Sequence, residues 1–365
     1  MSYPGKHPDF IVHSTSPLNG GTPPEVLRES FITRQENLYI RNHGNIPQVE
    51  PKLFRLKVEG LVEHPLNLTL DSLRRDFPIK TILATLQCAG NRRSQLMAIR
   101  PIPGETPWGA EAVGTAQWTG VSLFDVLQKA GIKPEAKHVA FSGLDEIEKE
   151  GRRFQFGGSI PIQKALQPEV LLAFEINGEA LPPAHGYPLR LVVPGFIGAR
   201  SVKWLTRLTL QAQSSTNYYQ AKAYRLFPPE TRHENVVWER GMELGEFPVN
   251  TVICRPVDGA RLPAGRVTIQ GYALAGGGRS VERVDLSTDG GQTWQAAELG
   301  KDRDPWTWRF WEAEVELEPG RNEVVARGWD SAANTQPEEA SRIWNFKGYM
   351  NNAWHRVTVL CPDRE

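Results

Sequence analysis

The chain has 365 residues, of which 40% are hydrophobic and 23% are charged, a composition typical of folded globular proteins. Its 42 Lys and Arg residues balance 42 Asp and Glu residues, so no overall charge excess would recruit nucleic acid or an anionic membrane. The three cysteines, Cys88, Cys254 and Cys361, are too few and too scattered for a disulfide framework or a zinc site with paired short spacings. The length favours two domains.

The N-terminal segment 1–30 is polar and rich in proline, and it lacks the apolar core of a secretory leader. No stretch reaches the roughly 18 uninterrupted apolar residues that a membrane helix needs. We therefore expect no membrane association and a cytoplasmic location, and the sequence is also compatible with a processed form.

The first part of the chain is predicted to mix strands and helices. Residues 53–58 predict a short strand before a turn at Gly60, followed by a helix that begins at Thr69 or Asp71 and a strand over 80–86. Residues 122–130 have helical spacing with Gly131 as the stop. Further strands are predicted at 139–142 and 189–193. Cys88 therefore falls just beyond the end of a strand.

After about Phe247 the pattern changes to short alternating segments, at 252–254, 267–270, 281–287 and 323–327. Turns rich in Gly, Asp and Pro separate them, and Asp289-Gly290-Gly291 predicts a hairpin because glycine supplies the positive φ angles of tight turns. This pattern is typical of a β-sandwich without helices of its own. We predict one domain over residues 1–246 and a second over 247–365.

The densest group of reactive residues is the segment LQCAGNRRS, residues 86–94. A cysteine at a strand exit, followed by a glycine and two arginines, lies in a positive field that favours the thiolate, which is the form that binds a soft metal. The alternative interpretation is a small buried residue beside two surface arginines.

Three other segments carry polar groups that are suited to a bound anion. They are YIRNHGNIP (39–47), HGYPLR (185–190) and PGFIGARSVKW (194–204). In the last, the backbone amides of a glycine-containing turn, with Ser201 and Lys203, would hold a phosphate. Taken singly, each has an ordinary alternative: a surface loop, a structural histidine and a plain glycine-rich turn.

Together the strings QCAGNRR, RNHG, HGYPLRLVVPG, IGARSVKW and AWHRV resemble the sulfite oxidase family of molybdenum oxidoreductases, in particular plant-type and bacterial members that lack a haem domain. Segments near 271–273, 282–285, 330–337 and 344–346 resemble the second domain of that family. The resemblance implies an α+β fold, with a sulfite-oxidase-type molybdopterin-binding domain followed by an immunoglobulin-like β-sandwich dimerisation domain. It also implies a homodimer that forms through the C-terminal domain.

Position by position, the resemblance implies that Cys88 binds molybdenum of a molybdopterin cofactor. The residues that would line the pterin are Tyr39, Ile40, Arg41, Asn42, His43, Asp145, His185 and Arg190. Its phosphate would be held by Ser201, Val202 and Lys203. The implied catalytic residues are Arg41, Arg93, Trp108, Tyr224 and Lys347.

Two positions depart from the family pattern. The residue before Tyr224 is usually acidic, and here it is Ala223. Lys347 stands where the second domain of the family normally contributes an arginine, so the charge is kept but the planar, bidentate fork is lost. Both departures bear on how tightly the site would hold a small anion.

The implied reaction is the oxidation of sulfite to sulfate by oxygen-atom transfer at an oxo-molybdenum centre. Because the sequence contains neither a cytochrome b5 segment nor a haem-attachment motif, electrons would pass to oxygen or to a separate carrier. One alternative is a reductase of nitrate or another small oxyanion on the same fold. The other is a non-catalytic binding protein, which predicts loss of the metal thiolate, whereas Cys88 is present.

Overall fold

The computed structural model describes residues 3–301 and 304–362. Its first part contains fifteen strands: β1 Ile11–Thr15, β2 Leu18–Gly21, β3 Ile40–Arg41, β4 Leu56–Gly60, β5 Leu66–Leu68, β6 Ile79–Gln87, β7 Val113–Ser122, β8 His138–Lys149, β9 Arg152–Pro161, β10 Leu171–Ile176, β11 Glu179–Ala180, β12 Arg190–Val192, β13 Arg207–Gln211, β14 Arg225–Leu226 and β15 Met242–Glu243. Two five-stranded sheets dominate, one with the order β11-β10-β7-β6 and β12 beside β10, the other with the order β5-β4-β13-β8-β9.

Short helices connect these strands: α1 Pro24–Leu27, α2 Leu70–Asp76, α3 Arg93–Ile99, α4 Leu123–Ala130, α5 Ile162–Ala165 and α6 Tyr218–Ala221. Single 3-10 turns occur at Pro183–His185, Gly198–Arg200, Trp238–Arg240 and Ala340–Ile343. Over the described residues, no helix has both the length and the apolar character needed to cross a bilayer.

The predicted elements around Cys88 are confirmed. β6 pairs with β7 from Ile79 opposite Val121 to Gln87 opposite Val113, so Cys88 directly follows the end of a sheet strand. α4 ends where predicted, at Gly131 with φ of 70°, a conformation that glycine adopts without strain. The first predicted strand lies three residues later than expected, at Leu56–Gly60, and the side chain of Leu53 is exposed.

The C-terminal part consists of nine strands: β16 Asn250–Arg255, β17 Ala260–Arg261, β18 Gly265–Leu274, β19 Val281–Ser287, β20 Gln295–Ala296, β21 Glu298–Leu299, β22 Arg309–Leu317, β23 Gly320–Asp330 and β24 His355–Cys361. They form two sheets, with the orders β16-β18-β22-β21 and β17-β24-β23-β19-β20. Side chains of both sheets, among them Ile269, Trp311, Val284 and Val324, make one buried cluster. This packing is the predicted sandwich.

The predicted hairpin is present, since β19 pairs antiparallel with β20 across the Asp289-Gly290-Gly291 turn. The Asp289 carboxylate accepts hydrogen bonds from the amides of Gln292 and Thr293, both at 2.9 Å. Gly290 and Gly291 have φ of 76° and 102°. Carboxylate and glycines thus act as predicted for a turn.

Within the described residues, every hydrogen-bonded sheet lies wholly before or wholly after residue 246; the exact boundary at 246/247 stays a prediction. The two parts touch through Arg92, which is fully buried. Its Nη1 donates to Asn250 Oδ1 at 2.8 Å and its Nη2 to the carbonyl of Trp354 at 3.2 Å. Arg92 therefore joins the two parts, and only Arg93 of the two arginines turns towards the site.

A stability prediction concerns α2. The Thr69 hydroxyl accepts from the Ser72 amide at 3.0 Å, and the Ser72 hydroxyl accepts from the Thr69 amide at 2.8 Å, a reciprocal capping box. Thr69→Ala should lower the free energy of unfolding by about 1 kcal/mol, because a helix amide loses its acceptor. Urea unfolding measures this, with Thr69→Ser as the control that keeps the hydroxyl. Equal urea midpoints for Thr69→Ala and Thr69→Ser would contradict the role of the cap.

Candidate active site

A cavity lies beside the end of β6. Most of the predicted site residues line it, namely Tyr39, Arg41, Asn42, His43, Cys88, Asp145, His185, Arg190, Ser201, Val202, Lys203 and Tyr224. They come from six separate segments of the chain. The structure therefore brings together groups that are up to 185 positions apart in the sequence, as the interpretation of these motifs requires.

Most of these segments enter the cavity from the end of an element, whereas Asp145 lies within β8 where the pairing with β9 is irregular. Arg41 ends β3, Asp145 lies in β8, Arg190 begins β12, and Ser201 follows a 3-10 turn. Close approach of the backbones depends on Gly198, since a Cβ atom there would lie 2.8 Å from the hydroxyl of Tyr39. Strand ends and short turns therefore place these polar groups on one wall.

Cys88 is buried, with 5% of its surface exposed. Its amide donates to the carbonyl of Ala112 at 2.9 Å, and the amide of Gly90 donates to Cys88 Sγ at 3.4 Å. Asn91 Oδ1 accepts from the amide of Ala112 at 3.0 Å. These bonds fix the cysteine loop on the neighbouring 108–112 loop.

Two cationic side chains, Arg190 and Lys203, also line the cavity. Arg190 donates to the carbonyls of His185 at 3.0 Å and Ser201 at 3.1 Å, and Lys203 donates to the carbonyl of Ala184 at 2.8 Å and contacts Asn42 Oδ1. Burial lowers the pKa of Arg190 to about 10 and that of Lys203 well below its ordinary value. An anion bound here would relieve that cost.

Two buried polar atoms at the cavity lack a partner among the described residues: Asn42 Nδ2 and Asp145 Oδ1. A buried donor and a buried acceptor without partners are costly unless a ligand supplies the missing bonds. Because the thiol of Cys88 and the cations of Arg190 and Lys203 line the same cavity, the donor set fits a polar cofactor that binds through a soft metal and carries an anionic group.

Tyr224 and His43 form a hydrogen-bonded pair, with 2.9 Å between the phenol oxygen and His43 Nε2. Burial, with Arg41 second, lowers the pKa of His43 well below its ordinary value, and burial raises the pKa of Tyr224. Both are therefore neutral near pH 7, and the tautomer of the imidazole decides which of the two donates. His43 is held between Phe156, stacked at 4.7 Å, and Tyr219 at 4.3 Å.

The other predicted catalytic residues, Arg93, Trp108 and Lys347, are not among the residues that line the cavity. Trp108 is fully buried in a cluster with Cys88 and Ala112. Arg93 and Lys347 meet at Glu105, a residue that the sequence did not single out. Its only sequence signal is a carboxylate three positions before Trp108, in a loop rich in proline. Lys347 confirms that the C-terminal part reaches this region.

Ile40 is placed differently from its neighbours, because its side chain packs with Phe10 and Leu18 in a small apolar cluster. Alternation along β3 explains this, since Tyr39 and Arg41 line the cavity and Ile40 points to the opposite face. A role for Ile40 through its main chain stays a prediction. Cys254 and Cys361 are free thiols buried in the C-terminal part, in agreement with a structural role.

Comparison with known proteins agrees with this site. Residues 43–219 match the family described as "Oxidoreductase molybdopterin binding domain" and residues 242–361 match "Mo-co oxidoreductase dimerisation domain". Both matches define a class, the oxidoreductases that bind molybdopterin.

The relatives narrow the class to one family. The chain is 44% identical to a sulfite oxidase of Gallus gallus, over 97% of this chain and 78% of that protein. It is 40% identical to a sulfite oxidase of Arabidopsis thaliana, over 98% and 95%. The sulfane dehydrogenase SoxCD of Paracoccus pantotrophus superposes with a TM-score of 0.81 at 29% identity, over 95% of this chain and 85% of that chain. The chain therefore belongs to the sulfite oxidase family.

A pH prediction follows from Asp145. Burial, opposed by Lys203, raises the pKa of Asp145 from 3.8 to about 6. Between about pH 4 and pH 6 the folded protein without cofactor holds a proton on Asp145 that the unfolded chain has lost. Stability from this group is therefore fully present at low pH and falls as the pH rises through that window, by up to about 3 kcal/mol.

Asp145→Asn should remove this fall, so that the free energy of unfolding of the cofactor-free variant changes less between pH 4 and pH 7 than that of the parent. Denaturant titrations at several pH values measure it, with the exposed carboxylate of Asp9 replaced in Asp9→Asn as the control. If the free energy of unfolding of Asp145→Asn and of the parent changed equally with pH, the raised pKa of Asp145 would be contradicted.

Proposed function

We propose that this chain oxidises sulfite to sulfate with a molybdopterin-bound molybdenum that Cys88 ligates. The observation that carries the proposal is the buried Cys88 sulfur in the wall of a cavity that Arg190 and Lys203 also line. The relationship to sulfite oxidases over nearly the whole chain supports the same reaction.

When bound, the cofactor supplies transfer of an oxygen atom and storage of two electrons. Cys88 would hold the metal, Asn42 and Asp145 would complete their hydrogen bonds on the pterin, and Ser201 and Lys203 would hold the phosphate. The amide of Gly90, which donates to Cys88 Sγ, orients the sulfur. The protein thus provides fixed donors before any substrate arrives.

Arg41 and Tyr224 would handle the substrate. Arg41 lines the cavity with Tyr224 and stays charged, so its fork is suited to a small oxyanion. The phenol of Tyr224 keeps its proton, because burial raises its pKa, and it is oriented by His43. With the imidazole hydrogen on Nε2, His43 would donate to the phenol oxygen, and Tyr224 would donate its own O–H to the bound anion and would not act as a base.

The C-terminal sandwich would mediate a homodimer, as its match to a dimerisation domain supports. Transfer of electrons to oxygen or to a separate carrier and the cytoplasmic location stay predictions from the sequence. An acceptor screen with oxygen, ferricyanide and cytochrome c addresses the first.

Cys88→Ser tests the proposal. Purified parent protein should contain molybdenum by elemental analysis and should turn over sulfite with ferricyanide. In the variant, turnover should fall by at least about 1,000-fold, because an alcohol is a poor ligand for a soft metal. Cys254→Ser is the matched control, since that thiol is buried in the C-terminal part.

Full molybdenum content in the parent without sulfite turnover would reject sulfite as the substrate. Nitrate with a chemical reductant then tests the oxyanion reductase alternative. Absence of molybdenum from protein that was produced with an adequate supply of cofactor would support the non-catalytic alternative.

Lys347→Arg should lower the KM for sulfite several-fold. A guanidinium offers five donors in a plane, so it can bind Glu105 and still present donors to an oxyanion, whereas an ammonium offers a point charge. Steady-state kinetics with Lys347→Met as the uncharged comparison measure the effect. An unchanged KM in Lys347→Arg would count against contact between this side chain and substrate.

A further inference from the structure

Glu105 pairs with two cationic side chains, Arg93 from the loop that carries Cys88 and Lys347 from the C-terminal part. Its Oε1 contacts Lys347 Nζ, and its Oε2 lies 3.6 Å from Arg93 Nη2. The side chains are 2% exposed for Arg93, 14% for Glu105 and 13% for Lys347. Burial alone would raise the pKa of Glu105, but Lys347 and Arg93 outweigh it and lower the pKa. Glu105 is therefore ionised at neutral pH.

Arg93 is fixed in this cluster by main-chain acceptors. Its Nε donates to the carbonyls of Lys347 and Gly348, both at 3.1 Å, and its Nη1 to that of Thr106 at 2.8 Å. The chain makes room for the side chain with glycines, since a Cβ atom on Gly348 would lie 2.6 Å from Arg93 Cγ and one on Gly90 2.5 Å from Arg93 Nη2. The guanidinium therefore lies against Gly90, whose amide donates to Cys88 Sγ.

Aromatic contacts connect the cluster to the substrate side of the cavity. Arg93 lies over the ring of Tyr349, with 5.1 Å from Cζ to the ring centre. Tyr349 stacks on Tyr224, with 5.1 Å between ring centres and 23° between planes. The carboxylate is thus linked to Tyr224 through Arg93 and Tyr349, and its charge acts on Tyr224 and Arg41.

We propose that Glu105 is a specificity-determining residue that acts as a built-in counter-ion of Lys347 and Arg93 and lowers the affinity of the site for doubly charged oxyanions. The inference rests on the proposed function. A substrate anion must share both cations with a carboxylate that is already there. The repulsion grows with the charge of the incoming anion, so a dianion loses twice the free energy that a monoanion loses.

This dependence on anion charge affects substrate and product of the proposed reaction differently. Sulfate is a dianion at neutral pH, whereas part of the sulfite is the monoanion. Glu105 therefore weakens binding of the product more than binding of the substrate, and it favours product release at the cost of a higher KM.

The test is anion binding to oxidised holoenzyme, measured by isothermal titration calorimetry with sulfate and with nitrate in the absence of reductant. In Glu105→Gln the Kd for sulfate should fall about ten-fold. Because a monoanion gains half the free energy that a dianion gains, the Kd for nitrate should fall by the square root of that factor, about three-fold. Glu105→Asp keeps the charge and should stay close to the parent. Glu105→Ser is a second neutral variant, and molybdenum content and thermal midpoint are measured for all.

An unchanged or higher Kd for sulfate in both neutral variants would overturn the proposal and assign Glu105 a purely positioning role for Lys347 and Arg93. Equal factors for sulfate and nitrate would overturn the dependence on anion charge. Because binding is measured without turnover, tighter sulfate binding in a protein that does not oxidise sulfite would reject the proposed function and retain this inference. Normal sulfite turnover in the parent, together with unaltered anion binding in the neutral variants, would retain the proposed function and reject this inference.

Discussion

A buried cation is costly unless an anion lies beside it, and this constraint shapes the whole site. Arg41, Arg190 and Lys203 line one cavity in which Asp145 is the carboxylate that faces them. Main-chain carbonyls satisfy their hydrogen bonds but cancel none of the net charge. An anionic cofactor supplies that charge, and its binding free energy therefore adds directly to the stability of the fold. The stability of the folded chain therefore depends on whether the cofactor is bound.

The same constraint explains why two parts of the chain meet at the site. Cys88 and Arg93 belong to the loop after β6, whereas Lys347 comes from the C-terminal part. Arg92, adjacent in sequence to Arg93, is buried against Asn250 and Trp354, so a change in how the two parts pack would move the cysteine loop with it. Contact between the parts therefore sets the geometry of the anion site, and the sandwich does more than support an oligomer.

Local patterns predicted much of this arrangement. The cap at Thr69, the stop at Gly131, the strand before Cys88 and the alternating strands after Phe247 follow from short-range chemistry. The cofactor residues were predicted through the family resemblance, since no spacing rule brings His185 to Tyr39. Glu105 was missed because its role depends on two partners, Arg93 and Lys347, one of which lies 242 positions away. Long-range ion pairs leave no periodic signal in a sequence.

The two departures from the family pattern and the new carboxylate can be understood together. Ala223 is buried in the main core beside Tyr224, so the acidic group usual at that position is replaced by an apolar contact, and His43 is the hydrogen-bond partner of the phenol. Negative charge is present instead at Glu105, on the other side of Tyr224, where it pairs with Lys347. An ammonium presents a compact charge that one carboxylate satisfies well, whereas a guanidinium would retain free donors. Lysine at 347 and glutamate at 105 are therefore a matched pair, and together they make the anion site of this chain less cationic than an arginine alone would.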